Sequence, residues 1–217
     1  MRNLINLLSK VKESYHYVRI TSAAKSDIQW WFVGLREFHG KTPFACDVPV
    51  PSHSFASDAC LVGGAAYYLN DWFYVKWSED FPDYESSHIN VLELKTIIEA
   101  AKRWGASWRG QHILVRSDNM SAVSAINISS SRSPELLKLV KELFWLSVRF
   151  SFKLSASFLP GKLNVLSDRL SRMHSLPEAE EGKIMLVGEF EILFCKGHMT
   201  YAVYALLQEM WRGSWRL

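Results

Sequence analysis

Three strand-like segments follow one another in the middle of the chain before any long helix begins, and this order constrains the fold most. They occupy residues 55–58, 63–69 and 72–77, and the corner at 69–71 suits a tight turn between the second and the third. Strands joined by connections this short pair antiparallel, because a parallel pair needs a long crossover. The sequence therefore predicts a three-stranded antiparallel meander as the first part of a sheet.

Helix and strand patterns alternate after the meander. Residues 88–105 carry an apolar stripe at helical spacing, and residues 112–117 and 152–158 have the apolar character of strands. Two helices are predicted between these strands, and a last one follows the second. Strands that return through helical crossovers lie parallel. The predicted fold class is therefore α/β, with a mixed five-stranded sheet (three antiparallel strands, then parallel ones) and helices on both faces.

Composition divides the chain into three zones. Residues 1–51 contain a helix at 21–38 and a linker with three prolines at 40–51. Residues 52–174 hold the α/β domain. Residues 175–217 form a tail with an acidic run and a tryptophan-rich end, and we expect this tail to be partly helical.

The overall composition is that of a globular protein. Apolar residues make up 48% of the chain, and the net charge of +3 is compatible with a nucleic-acid partner without establishing one. The three cysteines, Cys46, Cys60 and Cys195, form no CxxC pair, which favours reduced thiols in the cytoplasm or nucleus. No apolar run approaches the roughly 18 residues of a membrane-spanning helix. We therefore expect an intracellular protein without a membrane partner.

Four acidic residues are placed where the predicted elements would bring them together. Asp58 ends the first strand, Glu93 lies in the first turn of the 88–105 helix, Asp118 follows a parallel strand, and Asp168 opens the last helix. Carboxylates gathered in one pocket repel each other, so a positive group must hold them ionised together. Oxygen ligands of this kind suit Mg²⁺, and two such ions could support phosphodiester hydrolysis.

Each acid also has a plain structural explanation. Asp118 could cap the helix that follows it, and Asp168 could favour the positive end of its own helix. Glu93 could complete a capping box with Asn90 as the N-cap. Taken singly, these explanations are as good as catalysis, but they do not account for the convergence of all four acids on one edge of the sheet.

Four segments carry a resemblance to a known family: SFASDAC, HINVLELKTIIEAAKRW, VRSDNMSAVSAIN and LPGKLNVLSDRLSR. They resemble the successive motifs of a ribonuclease H domain, and more narrowly the domain attached to reverse transcriptases of DIRS-like, tyrosine-recombinase retrotransposons. The upstream segment RITSAAKSDIQWW is similar to the connection between polymerase and ribonuclease H in that group. The resemblance covers residues 19–172 well and the tail faintly.

The resemblance implies an activity and a set of site residues. The family uses two Mg²⁺ ions, or Mn²⁺, to cut the RNA strand of an RNA–DNA hybrid. Asp58, Glu93, Asp118 and Asp168 match its catalytic, metal-binding positions, with Asp58 as the bridging ligand. The implied substrate contacts are Asn119, Asn164, Lys162, Arg169 and Arg172. For Asn119 and Asn164, hydrogen bonding within local turns is an equally good explanation.

This sequence departs from the family in two ways. Phe158 stands where many ribonucleases H carry a loop histidine that is thought to help the product leave. The polymerase to which such domains are fused is absent from this chain, so we expect no DNA synthesis here.

Other interpretations remain open from the sequence. The chain could be a catalytically silent relic or a domesticated nucleic-acid-binding domain, or an integrase, transposase or exonuclease of the same fold. A basic and aromatic patch could grip the hybrid, or its tryptophans could be core and its arginines solvated. The residues of this patch are Arg103, Trp104, Trp108, Arg109 and Arg116.

Overall fold

A computed structural model describes residues 2–13, 15–37, 50–69, 71–81 and 88–175, together with the backbone at 184–187, 190–195 and 198–199. The helices are α1 Arg2–Leu8, α2 Ser22–Glu37, α3 Trp77–Asp80, α4 Ile89–Trp104, α5 Met120–Ile128, α6 Pro134–Phe150 and α7 Val165–Ser171. The strands are β1 His53–Ala59, β2 Gly63–Tyr68, β3 Asp71–Lys76, β4 His112–Ser117, β5 Lys153–Phe158, β6 Ile184–Val187, β7 Phe190–Cys195 and β8 His198–Met199. A short 3-10 turn, Gly161–Leu163, precedes α7.

The central sheet has the strand order β3-β2-β1-β4-β5. The β1–β2 and β2–β3 pairs are antiparallel, whereas β1–β4 and β4–β5 are parallel. The predicted fold class, a ribonuclease H-like α/β fold with a mixed five-stranded sheet, is therefore confirmed. The direction of each pair follows from the connections, because the meander strands are joined by tight turns and β4 and β5 are reached through helices.

Helices cover both faces of this sheet. On one face, α4, α5 and α6 pack on alternate strand residues such as Phe55, Ile113 and Val115. On the other face, Leu166 and Leu170 of α7 pack against the strand residues that point the opposite way, Ala56 of β1 and Ala65 and Tyr67 of β2. Because successive strand residues point to opposite faces, β1 contributes to both layers and lies at the centre of the domain.

The tail adds strands to the sheet. Strand β8 pairs antiparallel with β3 at Asp71 and His198, and β7 and β6 continue outward from it. The described part of the sheet thus has three strands beyond the five that were predicted. The expectation of a partly helical tail stays a prediction, because residues 176–183, 188–189, 196–197 and 200–217 lie outside the described part, as do residues 40–49 of the predicted linker.

The tryptophans of the expected basic and aromatic patch belong to the core. Trp104 and Trp108 are buried and pack on Phe55, with ring centroids 6.0 and 5.3 Å away. Arg103 forms a two-pronged ion pair with Asp71, at 2.8 Å for each nitrogen. These rings therefore have no free face on which a nucleic-acid base could stack, whereas Arg109 of the same patch is exposed.

The N-terminal helices pack against α6. Trp30 of α2 contacts Phe144 and Trp145 of α6, with ring centroids 5.7 and 5.0 Å apart. The helices approach closely at Gly34, where an added Cβ would lie 1.6 Å from the Trp145 ring. Asp27 accepts a hydrogen bond from the Lys141 ammonium at 2.5 Å in the same interface. Within the described ranges, no helix has the length and apolar character required to span a bilayer.

Candidate active site

Three carboxylates from three elements converge at one edge of the sheet. Asp58 lies near the end of β1, Asp118 directly follows β4, and Glu93 lies in α4. One oxygen of each lies within 4.8 Å of one oxygen of the other two. The β1–β4 register explains the first pair: Ala56 stands beside Arg116, so two residues further on Asp58 and Asp118 reach the same edge.

Glu93 turns away from the end of its own helix and into this cluster. Its Oε1 accepts a hydrogen bond from the Ala59 backbone N–H at 3.1 Å. The predicted capping box is wrong, because α4 begins at Ile89 with His88 as its N-cap and no side-chain cap bond. Asn90 lies inside the helix, and its Oδ1 accepts from the Asn119 side chain at 2.8 Å. Helix capping therefore does not account for Glu93.

The second oxygen of Glu93 is a buried atom with no hydrogen-bond partner in the described structure. The side chain is only 3% exposed and Asp58 only 4%. Burial, reinforced by the charges of Asp58 and Asp118, raises the pKa of Glu93 to about 9. Burial also raises the pKa of Asp58 to about 7, and the charges of Asp118 and Asp168 add to the shift.

Asp118 is less buried than the other two, and its pKa is raised chiefly by burial and further by the charge of Asp168. All donors in the cluster are carboxylate oxygens, which are the ligands that hard divalent cations prefer. A bound cation would give the unpartnered oxygen of Glu93 a ligand contact, and its positive charge would offset the repulsion among the three ionised acids. The residues present therefore fit a divalent metal ion.

Asp168 stands at the rim of the cluster. It lies on α7, and its Oδ1 accepts from Arg172 Nε at 2.9 Å and from Arg172 Nη2 at 2.8 Å. The two side chains are 44% and 58% exposed. The structure thus brings three of the four predicted acids into direct proximity. The fourth, Asp168, is near enough to influence Asp58 and Asp118 electrostatically and is paired with the arginine that caps the end of its helix.

The connection from β5 to α7 passes close to Asp118. A Cβ added at Gly161 would lie 2.9 Å from Asp118 Oδ2, so a glycine permits this approach. Lys162 lies in the exposed turn that follows, and Arg169 is exposed on α7. Phe158, at the end of β5, is 49% exposed and pairs in register with Ser117.

The two asparagines implied as substrate contacts have structural partners. Asn119 caps α5 by accepting a hydrogen bond from the Ala122 N–H at 3.0 Å. Asn164 is 2% exposed, and its side-chain amide donates to the Ser57 carbonyl at 3.0 Å. Asn164 therefore joins the start of α7 to β1 next to Asp58, and its burial removes it from the surface that a nucleic acid could reach.

Ser171 is the site residue that sequence reasoning missed. It is fully buried, and its hydroxyl donates to Asp58 Oδ2 at 2.5 Å. Cys60 Sγ in turn donates to the Ser171 carbonyl at 3.3 Å. The available signal was spacing alone, because Ser171 follows Asp168 by three residues and so lies on nearly the same helical face.

Comparisons with known proteins give structural neighbours only. No protein-family model matches the chain, and no curated protein sequence matches it. The N-terminal RNase H domain of a Mycobacterium tuberculosis protein, solved as a fusion with maltose binding protein, is 16% identical, covers 56% of this chain and 93% of its own, and has a TM-score of 0.39. RNase H1 of Halobacterium salinarum is 15% identical, with coverages of 57% and 98% and a TM-score of 0.39. The protease-reverse transcriptase of prototype foamy virus is 14% identical, with coverages of 73% and 21% and a TM-score of 0.34.

Proposed function

We propose that this chain is a metal-dependent endonuclease that hydrolyses the RNA strand of RNA–DNA hybrids. The observation that carries the proposal is the convergence of Asp58, Glu93 and Asp118 within 4.8 Å, with Asp168 at their rim. Plain structural roles explain these acids poorly, since Glu93 does not cap its helix and the cap of α5 is Asn119. The sequence motifs that resemble ribonuclease H place the same four residues at catalytic positions.

The proposed cofactor is a pair of Mg²⁺ ions, for which Mn²⁺ can substitute. Bound there, the ions would supply Lewis-acid activation of water and neutralise charge on the scissile phosphate. Four residues of the chain would hold them: Asp58 would be the shared ligand that the resemblance implies, and Glu93, Asp118 and Asp168 would supply the other carboxylates. The products are a 3′-hydroxyl and a 5′-phosphate, and no bond forms between enzyme and substrate.

The exposed cations beside the cluster are the proposed contacts to the hybrid. Lys162 lies in the same short turn as Gly161, which approaches Asp118. Arg169 lies on α7 with Asp168, and Arg172 is the C-cap of that helix. Phosphate contacts of this kind position a duplex without reading its sequence. In this proposal Asn119 and Asn164 have structural roles and do not contact the substrate, since Asn119 caps α5 and Asn164 joins the start of α7 to β1.

The wider context is also part of the proposal. The motifs quoted above resemble those of a reverse transcriptase from a DIRS-like retrotransposon, so we propose that the domain is one unit of such a polyprotein. Its setting is then intracellular, in the cytoplasm or nucleus, where the hybrid is formed.

A labelled hybrid tests the activity directly. RNA labelled at its 5′ end is paired with DNA that carries a different label and is incubated with the protein and Mg²⁺ or Mn²⁺, and we expect internal cuts in the RNA. Glu93→Gln should abolish them, whereas Glu135→Gln, at an exposed acid in the first turn of α6, should not. Cutting that persists in Glu93→Gln would exclude the mechanism, and cuts in the DNA strand would indicate an integrase or exonuclease.

A catalytically silent hybrid-binding domain is the second candidate. Phe158 favours it, because an exposed aromatic side chain at the end of β5 cannot take up a proton as the expected histidine could. Tight hybrid binding with no cleavage at any concentration of either metal would support this candidate over the nuclease.

A further inference from the structure

The hydroxyl of Ser171 is the one direct link between the last helix and the Asp58 carboxylate in the contacts described above. The two residues are separated by 113 positions in the chain, and the hydrogen bond between them is 2.5 Å long and buried. Hydrogen bonds to an ionised carboxylate are about twice as strong as neutral ones and are short. This contact has the length of that stronger class.

The Ser171 hydroxyl has two acceptors within reach and one proton to give. Besides Asp58 Oδ2, the carbonyl oxygen of Asp168 lies 2.9 Å away, one helical turn earlier. A carboxylate is the stronger acceptor, so the proton belongs to Asp58 whenever that group is ionised. The backbone of Ser171 is fixed independently by the Cys60 thiol, which donates to its carbonyl.

Such a contact determines how the Asp58 carboxylate is turned. The terminal torsion of an aspartate is broad, so the plane of the group is set by its partners and not by a rotamer well. Glu93 is held by the Ala59 N–H in the same way. With Oδ2 bound to Ser171, the plane of the Asp58 group is fixed relative to Glu93 and Asp118.

We propose that Ser171 is a positioning residue that orients the Asp58 carboxylate for cation binding. This inference rests on the proposed function, since it assigns a role within the same site. Partners of this kind behind a metal ligand typically change metal affinity by 10- to 100-fold when they are removed.

The chain offers a matched control in the same helix. Ser167 lies one turn before Ser171, is equally buried, and has a hydroxyl with no hydrogen-bond partner in the described structure. Ser167→Ala therefore removes the same atom from the same helix without breaking a contact to Asp58. Ser171→Cys is a second test variant, because it keeps nearly the same volume and replaces the hydroxyl by a weak donor.

The experiment measures Mn²⁺ binding by the full chain without nucleic acid, by calorimetry and by the electron paramagnetic resonance of free Mn²⁺. We expect Ser171→Ala and Ser171→Cys to weaken the tighter site about 10-fold or more, and Ser167→Ala to bind within about twofold of the wild type. Thermal unfolding in EDTA shows whether each variant is folded. If Ser171→Ala is unfolded, the Mn²⁺ affinity of Ser171→Cys alone tests the inference.

Each result bears on the inference. Wild-type affinity in both Ser171 variants would overturn it and leave the proposed function intact. Equal weakening in Ser167→Ala would also overturn it, since packing of α7 and not the hydroxyl would then be responsible. A wild-type chain that binds no Mn²⁺ would overturn the proposed function and this inference together, and that result is distinguishable from the other two.

Discussion

Replacing Asp58 with asparagine should stabilise the metal-free protein at alkaline pH, although it removes a proposed ligand. The reason is that this carboxyl group is buried beside two other acids, which raises its pKa from 3.8 to about 7. Between those values, the folded chain holds a proton that the unfolded chain releases. Raising the pH through this window therefore favours the unfolded state, and the loss of stability is complete above about pH 7.

The size of the effect follows from the shift. A displacement of roughly three pKa units at about 1.4 kcal/mol per unit corresponds to about 4 kcal/mol of unfolding free energy at pH 8. Asparagine has nearly the same shape and does not ionise, and its carbonyl oxygen can still accept from Ser171. Asp58→Asn should thus gain about 4 kcal/mol at pH 8 and almost nothing near pH 3.5. Glu93 has its pKa raised to about 9. For the same reason, it makes the unfolding free energy of the wild type fall further between pH 7 and about pH 9, in addition to the loss caused by Asp58.

Urea unfolding followed by tryptophan fluorescence in EDTA, at pH 3.5 and pH 8, measures this difference. A variant that is no more stable than the wild type at pH 8 would refute the electrostatic account of the cluster.

Asp27→Asn is a control in which the expected change in stability has the opposite sign. Burial alone would raise the pKa of Asp27, but hydrogen bonds from Lys141 and from the Asn3 backbone hold it below 3.8. That contribution is present above pH 3.8 and lost in acid, so Asp27→Asn should lose stability at pH 8.

Three further predictions concern the surroundings of the cluster. Gly161→Ala places a methyl group 2.9 Å from Asp118 Oδ2, and the displaced carboxylate should lower hybrid cleavage about 10- to 100-fold; unchanged steady-state rates would contradict this. Arg172→Gln frees Asp168 from its ion pair and should tighten Mn²⁺ binding several-fold in calorimetry without nucleic acid; weaker binding would show that Arg172 instead orients Asp168 usefully. Millimolar Mg²⁺ should raise the unfolding temperature of the wild type at pH 8, because it binds only the folded state, and should have little effect on Asp58→Asn.

The sheet was predictable because its signals are local. Apolar alternation and tight corners identified β1, β2 and β3, and the helical stripe of α4 indicated a crossover before β4. Tight corners and helical crossovers then predict which strands are antiparallel and which are parallel, whereas the place of β4 beside β1 is known only from the structure. The tail was not predictable in this way, since its apolar run suits a strand or a helix equally, and the pairing of β6 with β7 and of β7 with β8 decides between them.

Details of the site depend on contacts that local patterns do not encode. Asn90 has the character of an N-cap, yet α4 begins one residue earlier and uses Asn90 to bind Asn119. The resemblance named Asp168 as a ligand but carried no sign that Arg172 would hold it at the rim. Ser171 was missed because a serine in a short helix has no distinguishing pattern until that helix packs beside Asp58.

The long separation between Asp58 and Ser171 has a consequence for how the protein is made. The first three acids leave the ribosome well before the segment that carries the fourth acid and the hydroxyl that holds the first. Until α7 emerges and docks on β1, a nascent chain has an acidic edge that lacks both Asp168 and the Ser171 hydrogen bond to Asp58. Synthesis in this order completes the acidic cluster and its bracing only after the whole domain has been translated.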